Sequence, residues 1–248
     1  MKTINNSFLI LEETQSTNIY LKELASEQLL PDFFSVRTNY QTAGRGQRGN
    51  HWESTPNDNL LCSVVLHPTF VSANRSFYIS QIVSLSLIKS LEKFSDEFTI
   101  KWPNDIYWRN KKIAGILIEN QFLSNQVNQS IIGVGLNLNQ ASFSPKLINP
   151  VSLYHITGTK NDIDELWKDF INHLKGFHQL LKEGKAGQIK IEYHNKLYRN
   201  KGFHLYQDAK GLFEAYLYKV QPDGQLILID KDNQQRKYYF KEVSYIIE

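Results

Sequence analysis

The segment at residues 76–94 constrains the fold more than any other part of the chain. Its apolar side chains recur at helical spacing, and they are Phe77, Ile79, Ile82, Val83, Leu85, Leu87, Ile88, Leu91 and Phe94. This spacing predicts one long helix that is apolar over most of its surface. Such a surface has to be covered by other elements, so we expect this helix at the centre of the fold.

Strand-like and helical patterns alternate on both sides of that segment. Runs typical of strands lie at residues 7–11, 33–38, 60–66, 98–102, 106–108, 113–119 and 131–138. Helical spacing occurs at residues 19–25, 162–181 and 189–198. Residues 109–112 have the composition of a hairpin turn. Mixed strands and helices with hairpin-like connections predict an α+β core rather than a doubly wound sheet.

The pattern of apolar and polar residues in the last fifty positions differs from that in the rest of the chain. Short strand patterns at residues 203–206, 212–220, 226–229 and 238–240 are joined by polar turns, one of them at residues 222–224. Closely spaced short strands predict a small barrel. We therefore expect two domains, a catalytic one at residues 1–199 and a small β-barrel at residues 200–248.

Composition excludes several classes of protein. The chain has 28 Lys and Arg against 25 Asp and Glu, and a formal charge of +3 is too small to indicate a nucleic-acid partner. Its single cysteine, Cys62, lies in an apolar run, which predicts a buried side chain and no disulfide within the chain. The first residues lack a signal-peptide pattern, and no apolar run approaches membrane-spanning length. These features favour a cytoplasmic protein.

A glycine- and arginine-containing stretch at residues 41–52 is the first candidate site. Gly44, Gly46 and Gly49 allow a ligand to approach the backbone closely, and Arg45 and Arg48 suit a phosphate or a carboxylate. The stretch matches neither a P-loop nor a dinucleotide fingerprint. The alternative is a surface loop with solvated arginines.

The second candidate is the strand end at residues 101–105. Lys101 can point its ammonium into a cleft, where it would neutralise charge on a carboxylate that attacks an α-phosphate. Asp105 could hold Mg²⁺ or orient a lysine. The alternative is an ordinary Pro-Asn-Asp turn behind a surface lysine and a core tryptophan.

Two further patterns have both a functional and a structural interpretation. Residues 131–139 alternate so that Gly133, Gly135, Asn137 and Asn139 share one face, which suits an adenine or a ribose, or else a tight sheet crossing. Residues 16–18, Ser-Thr-Asn, precede a helix and form a good N-cap, although their polar groups could also bind a small head group.

The order of these motifs resembles that of the biotin–protein ligases. Ser-Thr-Asn at 16–18, Gly-Arg-Gly-Gln-Arg-Gly at 44–49, Lys-Trp-Pro-Asn-Asp at 101–105, Lys-Ile-Ala-Gly-Ile-Leu at 112–117 and Gly-Val-Gly-Leu-Asn at 133–137 follow in sequence. The resemblance covers about residues 8–181. It implies a mixed-sheet biotin/lipoate ligase-type catalytic domain, similar to class II aminoacyl-tRNA synthetases, and a small C-terminal SH3-like β-barrel.

The resemblance also implies a role for each matched residue. Expected at the biotin site are Ser16, Thr17, Asn18, Gln41, Arg45, Gly46, Gln47 and Lys101. Expected on the ATP side are Arg48, Trp52, Asn104, Lys112, Gly135 and Asn137. Lys101, Arg45 and Arg48 would be catalytic, and Asp105 would contact Mg²⁺ or the acceptor lysine. Many members carry an arginine where this chain has Gln47, and the neutral amide removes a charge-assisted contact unless Arg48 reaches the same place.

The implied activity has two steps and a protein partner. Biotin and ATP with Mg²⁺ would form biotinyl-5′-AMP, and biotin would then pass to a lysine of the biotin carboxyl carrier domain of a biotin-dependent carboxylase. Because the catalytic pattern begins almost at Met1, there is no room for the helix-turn-helix of some bacterial members, and we expect no specific DNA binding. A lipoate or octanoate ligase on the same fold, and a non-catalytic nucleotide- or RNA-binding module, are the alternatives.

Overall fold

A computed structural model describes the backbone at residues 3–5 and 7–247 and the side chains at residues 7–47 and 49–247. An eight-stranded mixed sheet forms the main layer, in the order β1-β2-β3-β4-β8-β7-β6-β5. The strands are β1 (Thr3–Asn5), β2 (Phe8–Thr14), β3 (Ser35–Gln41), β4 (Leu60–Leu66), β5 (Phe98–Lys101), β6 (Asp105–Trp108), β7 (Lys111–Leu123) and β8 (Gln126–Leu136). The pair β2–β3 is parallel and the other pairs are antiparallel, which confirms the predicted α+β mixed sheet.

Helices cover both faces of this sheet. They are α1 (Thr17–Glu27), α2 (Phe77–Leu91), α3 (Leu153–Thr157), α4 (Ile163–Lys182) and α5 (Ala186–Asn195). The predicted central helix is α2, which is buried along most of its length between the sheet and helices α4 and α5. Helix α4 is amphipathic, and its N-cap is Asp162, whose carboxylate accepts hydrogen bonds from the backbone N–H groups of Asp164 and Glu165.

The alternation of side chains along β4 and β8 separates two cores. Leu60, Cys62 and Val64 of β4 face α2, whereas Val65 and Ile131 pack on the opposite side with Leu21 of α1. Ser63, Gly133 and Gly135 belong to the α1 side by the same alternation. The face that carries the glycines is therefore the one beneath the start of α1.

The prediction of a buried side chain for the single cysteine is confirmed. Cys62 is fully buried in β4, and burial raises the pKa of its thiol to about 12. In the described part of the chain, no helix is both long enough and apolar enough to cross a membrane.

The C-terminal residues form a second, five-stranded antiparallel sheet. Its strands are β9 (His204–Asp208), β10 (Gly211–Val220), β11 (Leu226–Asp230), β12 (Gln235–Tyr238) and β13 (Ser244–Tyr245), in the order β12-β11-β10-β9-β13. The predicted small β unit is present, but within residues 7–247 its edge strands β12 and β13 do not pair, so no closed ladder forms a barrel.

The second sheet packs directly on the first. The indole nitrogen of Trp102 donates a hydrogen bond of 2.9 Å to the carbonyl of Gly224, and Arg199 donates one of 2.8 Å to the carbonyl of Ile246. Tyr206 and Leu217 belong to the same apolar cluster as α2. The apolar core therefore extends across residue 200, where the sequence predicted a domain boundary. The division into two domains stays a prediction.

Candidate active site

One cavity of about 570 Å³ gathers most of the residues that the sequence singles out. It lies on the glycine-bearing face of the main sheet, and the end of the C-terminal sheet also lines it. The predicted site residues that line it are Ser16, Thr17, Asn18, Gln41, Arg45, Gly46, Gln47, Trp52, Lys101, Asn104, Asp105, Lys112 and Gly135. Of the remaining two, Asn137 does not line the cavity, and the side chain of Arg48 lies outside the described residues.

The start of α1 supplies a neutral polar end of the cavity. Ser16 occupies the N-cap position with extended backbone, but its hydroxyl makes no capping hydrogen bond. Gln41, at the end of β3, accepts the backbone N–H of Thr17 at its Oε1 over 2.8 Å. The N-cap interpretation of residues 16–18 therefore explains the helix start but not the hydroxyl of Ser16.

A buried hydrogen-bond network lies beneath this polar end. The amide nitrogen of Asn18 donates to the Glu119 carboxylate over 2.9 Å and to the Leu117 carbonyl over 3.3 Å. Ser63 Oγ lies 2.6 Å from Asn18 Oδ1 and 2.7 Å from Thr17 Oγ1. Sequence reasoning missed Ser63, although a serine at the centre of the buried apolar strand β4 was the available signal.

Trp52 covers the glycines of the sheet. A Cβ at Gly135 would lie 2.7 Å from the indole nitrogen of Trp52, and one at Gly115 would lie 3.0 Å from Cζ3. Gly133 is similarly close to Asn18, because a Cβ there would lie 2.9 Å from the amide carbon. Side chains of the protein therefore pack tightly on the glycine face, and Trp52 gives the cavity an apolar wall there, whereas binding of an adenine or a ribose to this face stays a prediction.

The loop between β3 and β4 closes on itself next to Trp52. Arg45 and His51 form an antiparallel bridge, Gly46 N–H donates to the Asn50 carbonyl over 2.7 Å, and Trp52 N–H donates to Gly44 over 2.9 Å. A single 3₁₀ turn at Gln47–Gly49 forms the tip. The Arg45 guanidinium is exposed and lies 3.9 Å from the Glu119 carboxylate. This ordered loop brings the side chains of Arg45 and Gln47 to the cavity.

Lys101 forms the cationic end of the cavity, where β5 ends. Its ammonium donates a hydrogen bond of 3.0 Å to the Tyr107 hydroxyl and lies 4.9 Å from the centre of that ring. The ring of Tyr245 lies on it from the C-terminal sheet, at 5.4 Å. Burial lowers the pKa of Lys101, and the nearby carboxylate of Asp105 partly opposes that shift.

Two further predicted residues are held by the strands around Lys101. The Lys112 ammonium pairs with the Asp105 carboxylate at 2.7 Å and lies 5.7 Å from the centre of the Trp52 ring. Asn104 donates its amide to the Ile116 carbonyl over 2.6 Å, which fixes the turn against β7. Within residues 7–247, no three His, Cys, Asp or Glu side chains gather as metal ligands.

Asn137 has a structural contact instead of a place in the cavity. Its side chain is buried and donates to the Val151 carbonyl over 3.1 Å. Strand β8 ends at Leu136, so the alternation that grouped Asn137 with the glycines stops one residue before it. A contact of Asn137 with ATP stays a prediction.

The C-terminal segment at residues 240–247 also lines the cavity and was missed from the sequence. It includes Tyr245, whose hydroxyl is buried so that its pKa is raised well above the ordinary value. The polypeptide returns here from the second sheet, and the sequence predicted strands only as far as residue 240. No motif of the chain indicated this contribution.

The fold of this chain is also that of solved biotin protein ligases. The biotin protein ligase of Aquifex aeolicus, solved with biotin and ATP, superposes with a TM-score of 0.78 over 96% of this chain and 97% of its own, at 24% identity. The chain belongs to the biotin/lipoate A/B protein ligase family, whose sequence profile matches residues 10–137.

Curated relatives agree with this assignment. The bifunctional ligase/repressor BirA of Bacillus spizizenii is 30% identical over 66% of this chain and 54% of its own length. The biotin--[acetyl-CoA-carboxylase] ligase of Paracoccus denitrificans is 32% identical over 63% of this chain and 66% of its own. The chain spans about half the length of the first curated relatives it matches.

Proposed function

We propose that this protein is a biotin–protein ligase that forms biotinyl-5′-AMP from biotin and ATP and transfers biotin to a carrier lysine. One observation carries the proposal. A single cavity joins the neutral hydrogen-bonding groups of Thr17 and Gln41 to the ammonium of Lys101, and the indole of Trp52 forms an apolar wall of the same cavity. Biotin carries a group that matches each end: a polar ureido ring and a terminal carboxylate, joined by an apolar chain.

In the first step, a carboxylate oxygen of biotin attacks the α-phosphorus of ATP, and the bond to the pyrophosphate oxygen breaks. Ser16, Thr17, Asn18 and Gln41 are proposed to hold the ureido end, with Arg45, Gly46 and Gln47 closing over it. The Lys101 ammonium would neutralise negative charge on the carboxylate and the α-phosphate. Because the step contains no other acid or base, positioning and charge stabilisation supply most of the rate.

We assign four lining residues, Trp52, Asn104, Lys112 and Gly135, to the ATP side of the cavity, and we add Arg48 and Asn137 from the family resemblance. Magnesium would enter as Mg-ATP, because Mg²⁺ keeps its waters and phosphate ligands and adds only one or two carboxylates from the protein. Asp105 fits as such a single carboxylate, although its contact with Lys112 would have to open.

In the second step, the carrier lysine amine attacks the carbonyl carbon of the mixed anhydride, and AMP leaves. We propose a biotin carboxyl carrier domain as the partner, because the relatives include proteins named biotin--[acetyl-CoA-carboxylase] ligase. Asp105 is the carboxylate positioned to orient the incoming lysine if it does not hold Mg²⁺. We expect the reaction in the cytoplasm.

A lipoate or octanoate ligase is the nearest alternative, because the family includes lipoate ligases. Lipoate ends in a dithiolane ring and octanoate in a methyl group, and neither forms hydrogen bonds with Thr17 and Gln41. The buried polar groups at that end of the cavity therefore favour biotin. Among the residues whose side chains the structure describes, no contact in the cavity favours a non-catalytic nucleotide- or RNA-binding module.

The decisive experiment incubates the full chain with ATP, Mg²⁺, biotin and a biotin carrier domain, and then measures the intact mass of the carrier. The carrier should gain the mass of one biotin, and a carrier whose acceptor lysine is replaced by arginine should not. Parallel reactions with lipoate and with octanoate test the alternative. A carrier of unchanged mass, together with no detectable biotinyl-AMP, would rule out the proposal.

A further inference from the structure

Ser63 has a position that the proposed reaction does not explain. It is fully buried at the centre of β4, and its hydroxyl oxygen lies within hydrogen-bond distance of both Thr17 Oγ1 and Asn18 Oδ1, at 2.7 and 2.6 Å. A hydroxyl has one hydrogen and can donate to only one of these oxygens. The direction of each hydrogen bond can therefore be deduced by counting hydrogens.

The orientation of the Asn18 amide fixes the first direction. Its nitrogen donates to the Glu119 carboxylate over 2.9 Å and to the Leu117 carbonyl, both of which only accept. The oxygen of that amide must then face Ser63. Because a carbonyl oxygen has no hydrogen to give, the Ser63 hydroxyl is the donor in this contact.

The second direction follows from the first. With its hydrogen directed at Asn18, Ser63 can only accept in the 2.7 Å contact with Thr17, so the Thr17 hydroxyl donates to Ser63. Gln41 Oε1, 3.2 Å from the same hydroxyl, is a second and more distant acceptor for this hydrogen, and it also accepts the backbone N–H of Thr17 over 2.8 Å. The only hydrogen of the Thr17 hydroxyl is thus directed into the protein, away from any ligand.

We propose that Ser63 is a positioning residue that makes Thr17 a hydrogen-bond acceptor toward the cavity and thereby sets the specificity for the ligand head group. This inference rests on the proposed function and names the chemistry of the same site. With Gln41 Oε1 turned toward Thr17 N–H, the Gln41 amide nitrogen is left as a donor. An acceptor beside a donor complements an N–H beside a C=O, which is one edge of a cyclic urea.

The prediction concerns the ureido N–H that faces Thr17. Two carbamate analogues of biotin, each with one ureido N–H replaced by a ring oxygen, keep the shape and exchange a donor for an acceptor. For the isomer whose oxygen faces Thr17, wild-type affinity should fall by about 30-fold or more, because two acceptors meet. Calorimetry with biotin and both isomers measures this, and equal affinity for all three would overturn the inference without any variant.

Ser63→Ala tests the role of the serine itself. Without Ser63, the Thr17 hydroxyl can turn its hydrogen toward the ligand, so the disfavoured isomer should recover to within about 5-fold of biotin. Biotin KM should rise while kcat for pyrophosphate release changes little, since the reacting atoms are at the other end of the cavity. Ser86→Ala is the matched control, because Ser86 is an equally buried hydroxyl that bonds the Ile82 carbonyl in α2.

The outcomes separate this inference from the proposed function. If the wild-type protein binds biotin but Ser63→Ala keeps the full preference between the isomers, the role of Ser63 is wrong and the ligase assignment stands. If the wild-type protein binds no biotin, both are wrong. Should Ser63→Ala fail to fold, Ser63→Cys retains the volume with a much weaker donor, and it should show the same loss of preference in smaller measure.

Discussion

Trp52 packs on Gly135 so closely that the glycine cannot gain even a methyl group without moving the indole ring, since a Cβ would lie 2.7 Å from the ring nitrogen. The indole ring therefore lies directly against the sheet, and the cavity stays open on the other side of the ring. Among the described residues, no group accepts a hydrogen bond from the indole N–H, although it is buried. The size of the side chain at position 135 therefore determines how far the indole ring of Trp52 extends into the cavity.

Gly135→Ala should lower both stability and substrate binding. Overpacking at a tight site costs about 1–3 kcal/mol of the free energy of unfolding. Moving the indole into the cavity should also raise the KM for ATP by about 10-fold, the equivalent of 1.4 kcal/mol. Urea unfolding and initial rates of pyrophosphate release measure the two effects.

Gly176→Ala is the control for that substitution. Gly176 is exposed in α4, and a Cβ there meets no atom within 4 Å. The alanine should stabilise the helix by up to about 1 kcal/mol and leave the KM unchanged. Equal behaviour of the two alanine variants would contradict the packing of Trp52 on Gly135.

Lys101→Ala should abolish most adenylate formation without unfolding the protein. Removing one preorganised charge from a site where negative charge develops costs about 100-fold or more in rate. Lys111→Ala removes an exposed lysine from the start of β7 and should retain the wild-type rate. Pyrophosphate release and thermal melting are measured on both variants. A near-normal rate for Lys101→Ala would remove this residue from the mechanism.

The rate of adenylate formation should fall at alkaline pH, and earlier than an ordinary lysine would allow. Burial lowers the pKa of Lys101, and the ammonium is present only below that pKa. Asp105 raises the pKa of Lys101 and Lys112 lowers it. Asp105→Asn should therefore move the alkaline limb of the pH–rate profile to lower pH, and Lys112→Gln should move it to higher pH.

The direction of each shift is the test, since both substitutions also lower the absolute rate through the ATP side of the cavity. Profiles of pyrophosphate release are compared by the midpoint of their alkaline limbs, each normalised to its own maximum. Limbs that coincide in the wild-type protein and both variants would show that the titrating group is not Lys101.

The main sheet and most of the cavity were predictable from the sequence because they depend on local periodicity and on motifs in a fixed order. The run at 60–66 became β4 at Leu60–Leu66, and the apolar segment became the buried helix α2. Ser63 was not singled out, because its meaning depends on Thr17 and Asn18, which lie more than forty residues away. These residues come together only when helix α1 packs on strand β4 in the folded protein.

The C-terminal part of the cavity could not be predicted for a related reason. Tyr245 reaches Lys101 through the packing of one sheet on another, and the two residues share no periodic pattern. Asn137 is the opposite case, a residue that was predicted at the cavity but does not line it. Its grouping with Gly135 assumed that β8 continues to residue 137, whereas the strand ends at Leu136. Alternation predicts a shared face only while the strand lasts.

Gln47 offers the last prediction, because it lines the cavity at a position where many biotin–protein ligases carry an arginine. A guanidinium at that position could form a charge-assisted hydrogen bond with the carboxylate or the α-phosphate. Gln47→Arg should therefore slow the release of biotinyl-AMP by about 10-fold, which corresponds to roughly 1.4 kcal/mol.

The neighbouring arginine decides how that result is interpreted. If Arg48 already makes this contact in the wild-type protein, Arg48→Ala should strongly increase the rate of adenylate release. In a protein that also carries Gln47→Arg, Arg48→Ala should increase that rate much less. A double-mutant cycle on the release rate, with Asn50→Ala as a control in the same loop, measures the coupling between the two positions. Additive effects, with no coupling beyond about 0.5 kcal/mol, would show that Arg48 does not compensate for Gln47.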